Sequence, residues 1–219
     1  MFEGKTVLTG VKPTGTPHLG NYFGAIKPMI ELAKTAERHI MFVADYHAIN
    51  AEKNAEVLNQ KIREVACVQL ACGLDPNKSI FYRQSDIPEI PEITTILYAY
   101  TPKGFMNKSH AYKACVDKNR EAGKPDDDGI NMGLFTYPTL MAADILLYKA
   151  SLVPVGEDQS AHLELSRETV RRFNNFFGED LLVEPQPLFT QTPKVPGIDG
   201  RKMSKSYGNA LEISESEDS

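Results

Sequence analysis

Thr14-Gly15-Thr16-Pro17-His18-Leu19-Gly20-Asn21 is the stretch that decides the fold of this chain of 219 residues. Before it, residues 6–11 form a short apolar, β-branched run that predicts a buried strand; after it, residues 22–37 place apolar side chains at helical spacing. A glycine-rich turn at a strand–helix junction lets a ligand approach the main chain, and a helix start attracts phosphate. The stretch therefore indicates a nucleotide site, with an ordinary βα turn carrying a surface histidine as the alternative.

A second stretch far along the chain strengthens the nucleotide hypothesis. Asp199-Gly200-Arg201-Lys202-Met203-Ser204-Lys205-Ser206-Tyr207-Gly208 places three cations and two serine hydroxyls between glycines. This composition is typical of a loop that closes on a polyphosphate and opens to release product.

The two stretches, in this order, resemble the HIGH and KMSKS motifs of class I aminoacyl-tRNA synthetases. Residues 140–148 and 153–159 are similar to tryptophanyl-tRNA synthetases in particular, and the likeness runs from residue 7 to about residue 209. Asn21 stands where the first motif has its second histidine, a change that fits the tryptophanyl branch. The resemblance implies an α/β fold with a Rossmann-like parallel sheet and helices on both faces, and the alternation of predicted strands and helices points the same way.

The resemblance also implies roles for particular residues. It assigns catalysis to His18, Asn21, Lys202 and Lys205. It assigns ATP binding to these four and to Lys12, Thr14, Gly15, Gly20, Gly156, Asp158, Met203, Ser204 and Ser206. It assigns tryptophan binding to Tyr137, Met141, Asp144, Val153, Val155 and Gln159. Within this last set, Asp144 would accept the indole N–H, while Tyr137 and Gln159 would hold the α-ammonium group.

The reaction implied is the ATP-dependent activation of L-tryptophan to tryptophanyl-adenylate, followed by transfer to tRNA(Trp). ATP would bring Mg²⁺ on its phosphates, without a metal site built from protein side chains. The resemblance further implies a homodimer that works in protein biosynthesis.

The same resemblance predicts the domain organisation. Residues 1–212 would form the nucleotide-binding catalytic domain, with an inserted dimerisation region at about 88–133, and residues 213–219 an acidic tail. Full-length family members continue into a helical anticodon-binding domain, so we expect a catalytic fragment with limited tRNA charging.

Composition narrows the class of protein. A net charge of −5 argues against general coating of nucleic acid, so any RNA contact should depend on a local patch. No apolar run reaches membrane-spanning length and the N-terminus lacks a signal peptide, which predicts a cytoplasmic protein. Three cysteines without a Cys-x-x-Cys pair argue against disulfides and structural zinc, and we interpret them as small buried hydrophobic residues.

Two features keep a structural alternative beside the functional one. Asp144 lies within an apolar helical run, and a carboxylate there is either buried with a donor or exposed on the helix surface. Residues 126–128 are three consecutive aspartates, which we interpret as part of a solvated loop rather than a metal site.

Three other functions compete with the tryptophanyl one. A tyrosyl-tRNA synthetase shares both motifs but reads a phenol hydroxyl, and residues 141–148 and 155–159 favour tryptophan over it. A small-molecule nucleotidylyltransferase has a similar histidine turn, yet the complete KMSKS stretch argues against it. A paralogue that binds nucleotide or a partner without ligating anything also stays open; an assay of amino-acid activation separates it from an enzyme.

Overall fold

The computed structural model describes residues 2–156, 159–189 and 195–213. The chain divides into two compact units: unit 1 comprises Met1–Asp86 with Leu188–Ser219, and unit 2 comprises Ile87–Pro187. Within the described ranges, no helix is long and apolar enough to cross a membrane.

Unit 1 is built on three parallel strands: β1 (Phe2–Val11), β2 (Ala36–Val43) and β3 (Ser79–Arg83). β2 lies in the middle, pairing Ile40 with Leu8 of β1 on one side and with Ile80 of β3 on the other. Residues 39–43 are all buried, because a central parallel strand is covered on both faces and needs a continuous apolar run. The predicted strand at residues 6–11 is thus confirmed as part of β1.

The helix after the glycine-rich turn has three parts: α1 (Leu19–Asn21), a π-helical segment (Tyr22–Ile26) and α2 (Lys27–Ala33). Its apolar face packs on β2. The predicted helix over residues 22–37 is wrong for its last residues, because β2 already begins at Ala36. Apolar periodicity located the helix but not its end.

After β2 come α3 (Asp45–Ala48) and α4 (Ala55–Ala71), which begins after Asn54, whose Oδ1 accepts the N–H groups of the first turn. The cysteine interpretation is wrong: Cys67 on α4 is exposed, and the other two cysteines are half-buried. The buried side of α4 carries Val65, and Cys67, two residues on, lies about 200° around the helix and faces away from it.

Unit 2 is mainly helical. Its elements are α5 (Glu89–Tyr98), α6 (Lys103–Met106), α7 (His110–Glu121), α8 (Met132–Leu147), β4 (Leu152–Val155) and α9 (Ser160–Phe177). Helices α5 and α9 both pack on α8, which carries the buried side chains. Sequence analysis did not predict α6 or α7. α7 buries only Val116, so it shows no apolar stripe that would reveal a helix.

The three aspartates after α7 lie in an exposed loop that their carboxylates hold together. Asp126 accepts a two-pronged pair from Arg120, with Nε–Oδ1 at 2.9 Å and Nη2–Oδ2 at 2.7 Å. Asp127 accepts the Tyr112 hydroxyl, and Asp128 pairs with a lysine. The prediction of a solvated loop is confirmed, and these exposed pairs contribute little stability.

The last described strand is β5 (Gln186–Phe189). Parallel strands alternating with helices confirm the predicted α/β, Rossmann-like class.

Helix α8 ends in a turn that suits glycine but carries lysine. Lys149 has φ of 50°, the only positive φ outside glycine in the described part of the chain, and Ala150 N–H donates back to Ile145 O at 3.2 Å. This is a Schellman-type cap, whose left-handed residue is usually glycine because a Cβ is strained there.

Replacing Lys149 with Gly should stabilise the protein by about 1 kcal/mol by removing this strain, raising Tm by roughly 3 °C. Thermal unfolding followed by circular dichroism measures the shift. Lys149→Ala is the matched control: it removes the charge but keeps the Cβ and should gain nothing. An equal gain in both variants would contradict the backbone explanation.

His39 makes stability depend on pH. Its side chain is 1% exposed, Nδ1 lies 3.0 Å from Ser79 Oγ, and Nε2 has no hydrogen-bond partner among the described residues. Burial lowers the pKa of His39 from its ordinary 6.5 to about 4. The unfolded chain therefore binds a proton first as the pH falls, so stability is full above pH 6.5 and declines toward pH 4.

At pH 5 this one group should cost about 2 kcal/mol of unfolding free energy relative to pH 7.5. Urea denaturation of wild type and His39→Phe at both pH values isolates the contribution of His39 to the unfolding free energy, because all other titrating groups are common to both proteins. If the two proteins lose the same stability between pH 7.5 and pH 5, His39 is not the cause.

Candidate active site

The glycine-rich turn of unit 1 ends in a reciprocal cap. His18 Nδ1 accepts the Asn21 N–H at 3.3 Å, and Asn21 Oδ1 accepts the His18 N–H at 3.0 Å. Upstream, Thr14 N–H donates to Lys12 O at 2.8 Å, and Gly15 has φ of 78°, a conformation that favours glycine. The turn therefore brings these five sequence-predicted residues onto one short segment with a fixed backbone.

The first N–H groups of the following helix are already occupied. Leu19 N–H donates to Leu211 O at 2.9 Å, Gly20 N–H lies 3.3 Å from Met203 Sδ, and the next two N–H groups bond to the cap residue His18. A phosphate at this helix start would have to replace these acceptors. Gly20 is needed for packing, because a Cβ there would lie 2.8 Å from the His18 ring.

The segment after the KMSKS stretch lies along the turn. His18 and Glu212 form an antiparallel bridge, and Ile213 N–H donates to Pro17 O at 2.9 Å. The two motifs, nearly two hundred residues apart in sequence, are thus neighbours within unit 1.

The KMSKS stretch forms a hairpin. Gly197 N–H donates to Arg201 O at 2.7 Å and Met203 N–H to Val195 O at 2.8 Å. Met203 is 5% exposed, whereas Lys202 beside it is exposed. The hairpin therefore buries its methionine and presents a lysine outward.

Asn209 holds this hairpin from within. It is 1% exposed; its Oδ1 accepts the Ser204 N–H at 2.8 Å, and its Nδ2 donates to Asp199 Oδ1 at 2.7 Å and to Lys202 O at 3.3 Å. A Cβ on Gly197 would lie 2.4 Å from the same Nδ2, so only glycine lets the carboxamide come this close. One side chain thus fixes both ends of the segment that carries Lys202.

The hydrogen bonds of the Asn209 carboxamide to Asp199, Lys202 and Ser204 form a clasp, and Asp199 links this clasp to a cation. Its Oδ2 accepts from Arg201 Nε at 2.7 Å, and the Arg201 guanidinium stacks 4.9 Å from the Tyr207 ring centre. The hydrogen bond from Asn209, followed by those from Arg201, lowers the pKa of Asp199, so this carboxylate stays charged. Arg201 is therefore committed to the hairpin itself.

The other residues of this stretch that are predicted to bind phosphate are Ser204, Lys205 and Ser206. Ser204 Oγ and Ser206 Oγ lie 2.8 Å apart, which joins the two predicted hydroxyls into one pair. The main chain of Lys205 begins a short 3₁₀ turn (Lys205–Tyr207), while its side chain is outside the described atoms.

Hydrogen bonds join the carboxyl ends of β2 and β3. Ser85 N–H donates to Asp45 Oδ1 and Tyr46 N–H to Gln84 Oε1, both at 3.0 Å. Asp45 and Gln84 are buried, at 7% and 0% exposed. Their shared function is to fix these two strand ends.

In unit 2, Asp144 lies inside the protein. It is 2% exposed on α8, between Ala143 and Ile145, which are 0% and 1% exposed, so the alternative of a helix-surface aspartate is wrong. Tyr137 and Met141, on the same face of α8, are half-buried. Val153 and Val155 of β4 are buried as well.

A chain of hydrogen-bonded polar side chains joins two of the residues that are predicted to bind tryptophan. Ser109 Oγ lies 3.4 Å from the Tyr137 hydroxyl, which lies 2.6 Å from His162 Nε2, and His162 Nδ1 lies 2.9 Å from Gln159 Oε1. His162 is 4% exposed, and burial raises the pKa of Tyr137. Tyr137 and Gln159 are therefore connected through one buried imidazole.

Two more residues, Gly156 and Asp158, are predicted to bind ATP. Gly156 is exposed directly after β4, and Asp158, with Glu157, falls outside the described residues. Within the described ranges, no three His, Cys, Asp or Glu side chains form a group that could hold a metal ion.

Sequence reasoning missed Ser109, His162 and Asn209. His162 lies three residues after Gln159 on one helix face, a spacing that could have linked the two. Nothing in the sequence marks Asn209 or Ser109, because their partners come from other segments of the chain.

The comparisons with known proteins agree with one another. A family described as "tRNA synthetases class I (W and Y)" matches residues 3–219. The tryptophan–tRNA ligase of Bordetella pertussis is 51% identical over 212 residues, 95% of this chain and 47% of that protein. The enzyme of Pseudomonas aeruginosa is 49% identical, over 94% of this chain and 47% of its own length. The chain spans about half the length of the curated relatives it matches.

Solved structures give the same result. The tryptophanyl-tRNA synthetase of Campylobacter jejuni, in complex with ADP and tryptophan, superposes with a TM-score of 0.86 at 42% identity, over 97% of this chain and 64% of that one. A tyrosyl-tRNA synthetase of Archaeoglobus fulgidus, at 24% identity and a TM-score of 0.72, shares the fold. With the family match extending over nearly the whole sequence, the chain belongs to the W and Y family of class I tRNA synthetases.

Proposed function

We propose that this chain activates L-tryptophan with ATP and, as part of a tryptophan–tRNA ligase, passes it to tRNA(Trp). The observation that carries the proposal is the burial of Asp144, a carboxylate on α8 that is 2% exposed. Such a group is an acceptor suited to a buried N–H donor, and the indole N–H is one. The relatives named tryptophan–tRNA ligase and the Campylobacter complex with tryptophan support this choice.

The amino-acid subsite would lie in unit 2. Asp144 would accept the indole N–H while Met141, Val153 and Val155 contact the ring. Tyr137 and Gln159 would hold the α-ammonium group at the other end of the substrate.

The nucleotide would bind to the turn and the hairpin of unit 1. His18 and Asn21 would contact phosphate and ribose, aided by Lys12, Thr14, Gly15 and Gly20. Lys202, Met203, Ser204, Lys205 and Ser206 would contribute from the hairpin, and Gly156 and Asp158 from the chain after β4. Because Met203 of the hairpin and Leu211 of the segment after it occupy the first helical N–H groups, ATP binding would require both to move away from the turn.

Activation is a displacement at phosphorus. A carboxylate oxygen of tryptophan forms a bond to the α-phosphorus, the bond to the bridging oxygen breaks, and pyrophosphate leaves with the electron pair. Catalysis of this kind depends on positioning and on charge placed beside the departing phosphates. Lys202 and Lys205 would supply that charge. Mg²⁺ bound to ATP phosphate oxygens would supply further positive charge.

The partners follow from this function. The adenylate would pass its acyl group to the terminal ribose of tRNA(Trp) in the cytoplasm, where tRNA is charged. A homodimer formed through the middle region of the chain is the expected assembly.

Binding should produce a saturable change in the fluorescence of added tryptophan. This change can be measured directly because the chain itself contains no tryptophan. Titration with tyrosine in excess tests selectivity. Asp144→Ala should weaken binding about tenfold or more, since a buried N–H would lose a charged acceptor. Asp127→Ala, which removes a loop carboxylate, is the matched control and should bind normally. Displacement by tyrosine, or unchanged binding by Asp144→Ala, would refute tryptophan specificity.

Asn209→Ala should slow adenylate formation about tenfold or more while leaving tryptophan affinity unchanged, because it releases the backbone on both sides of Lys202. Pyrophosphate exchange measures the rate, and ligand fluorescence measures the affinity. Lys202→Ala should reproduce the pattern, and Asn59→Ala, on the exposed side of α4, should change neither quantity. Parallel losses of rate and affinity in Asn209→Ala would show that the residue merely supports folding.

A further inference from the structure

In the polar chain of unit 2, the donor and the acceptor of each hydrogen bond can be assigned; this assignment is the proton order of the chain. Gln159 presents Oε1, which only accepts, to His162 Nδ1 at 2.9 Å, so Nδ1 carries the ring proton. In the neutral ring Nε2 is then a lone pair, and the Tyr137 hydroxyl 2.6 Å away must donate to it. Burial raises the pKa of Tyr137, which keeps this hydroxyl protonated.

The same order continues to Ser109. Since the Tyr137 proton is directed to His162, the contact of 3.4 Å between the hydroxyls of Ser109 and Tyr137 has serine as its donor. The phenol oxygen and the Gln159 carboxamide oxygen are consequently both acceptors. The opposite tautomer of the ring would make His162 donate to Tyr137 and would leave two acceptors, Nδ1 and Oε1, facing each other.

We propose that His162 is a positioning residue that fixes the direction of these hydrogen bonds, so that Tyr137 and Gln159 both present oxygen lone pairs to the ammonium group of an amino acid. The inference rests on the proposed function and extends it to the origin of selectivity for the α-ammonium group. An ammonium group has three donors and no acceptor, so it requires acceptors on every side. His162 is 4% exposed on α9, and its ring is held between Tyr137 and Gln159 by contacts at both nitrogens.

Nitrogen-15 NMR of protein labelled in its histidines tests the proton order in the unmodified chain. The ring signals of His162, identified by their loss in His162→Phe, should show a protonated Nδ1 and an unprotonated Nε2. A protonated Nε2 with a bare Nδ1 would overturn the inference without touching the proposed function.

A pair of ligands tests the consequence for recognition. L-Tryptophan and indole-3-propionate differ only in the α-ammonium group, and the fluorescence of both is measurable in a chain without tryptophan. The wild-type protein should prefer tryptophan, and His162→Phe should reduce that preference about tenfold by weakening tryptophan alone. A purely structural loss would weaken both ligands equally. His39→Phe, which also replaces a buried histidine, is the matched control and should keep the preference.

The outcomes are distinguishable. If His162→Phe retains the wild-type preference, or weakens both ligands in parallel, His162 does not act on the ammonium group and the inference fails while the proposed function stands. If the wild-type protein binds neither ligand, the proposed function fails and the inference fails with it.

Discussion

The structure depends on one constraint: a polar group taken out of water must be given a hydrogen-bond partner. Asn209 shows the constraint most clearly, since its buried carboxamide bonds to three different residues of one hairpin. Its demands account for Gly197, where a Cβ would collide with Nδ2. They also account for the ordering of Asp199, whose carboxylate accepts from both the clasp and Arg201. Removing a partner from such a set leaves a desolvated group behind, which costs more than the net value of one hydrogen bond.

Sequence reasoning succeeded where the signal is local. A short apolar run predicts the strand at residues 6–11, and the apolar run around Asp144 predicts a helix; both predictions are correct. The two motifs were recognised from their composition and order. The sequence does not predict α7, because this helix buries only Val116. The predicted helix of unit 1 is too long, because Ala36 and Glu37 fit either a helix or a strand.

The parts of the candidate site that could not be predicted share a different physical cause. Gly20 meets Met203 across 183 positions and Ser109 meets Tyr137 across 28, so no window of sequence contains both members of either pair. Burial of Asp144 and His162 follows from how helices pack, and helical spacing alone permits either a buried or an exposed carboxylate. The environment of these groups is a property of the folded chain, and it is this environment that determines their chemistry.

The hairpin of unit 1 combines a fixed base with an exposed charge, and that combination suits a reaction without a protein nucleophile. Its base is held by Asn209 and by burial of Met203, while Lys202 extends from it into solvent. A cation stabilises a departing phosphate most when it is already positioned, because reorganising it during the reaction would consume the energy it contributes. The thioether of Met203 against Gly20 N–H is a weak contact that a phosphate can replace, whereas the carboxamide clasp is satisfied on all its donors. The clasp therefore fixes the direction of Lys202 independently of the contact between Met203 and Gly20.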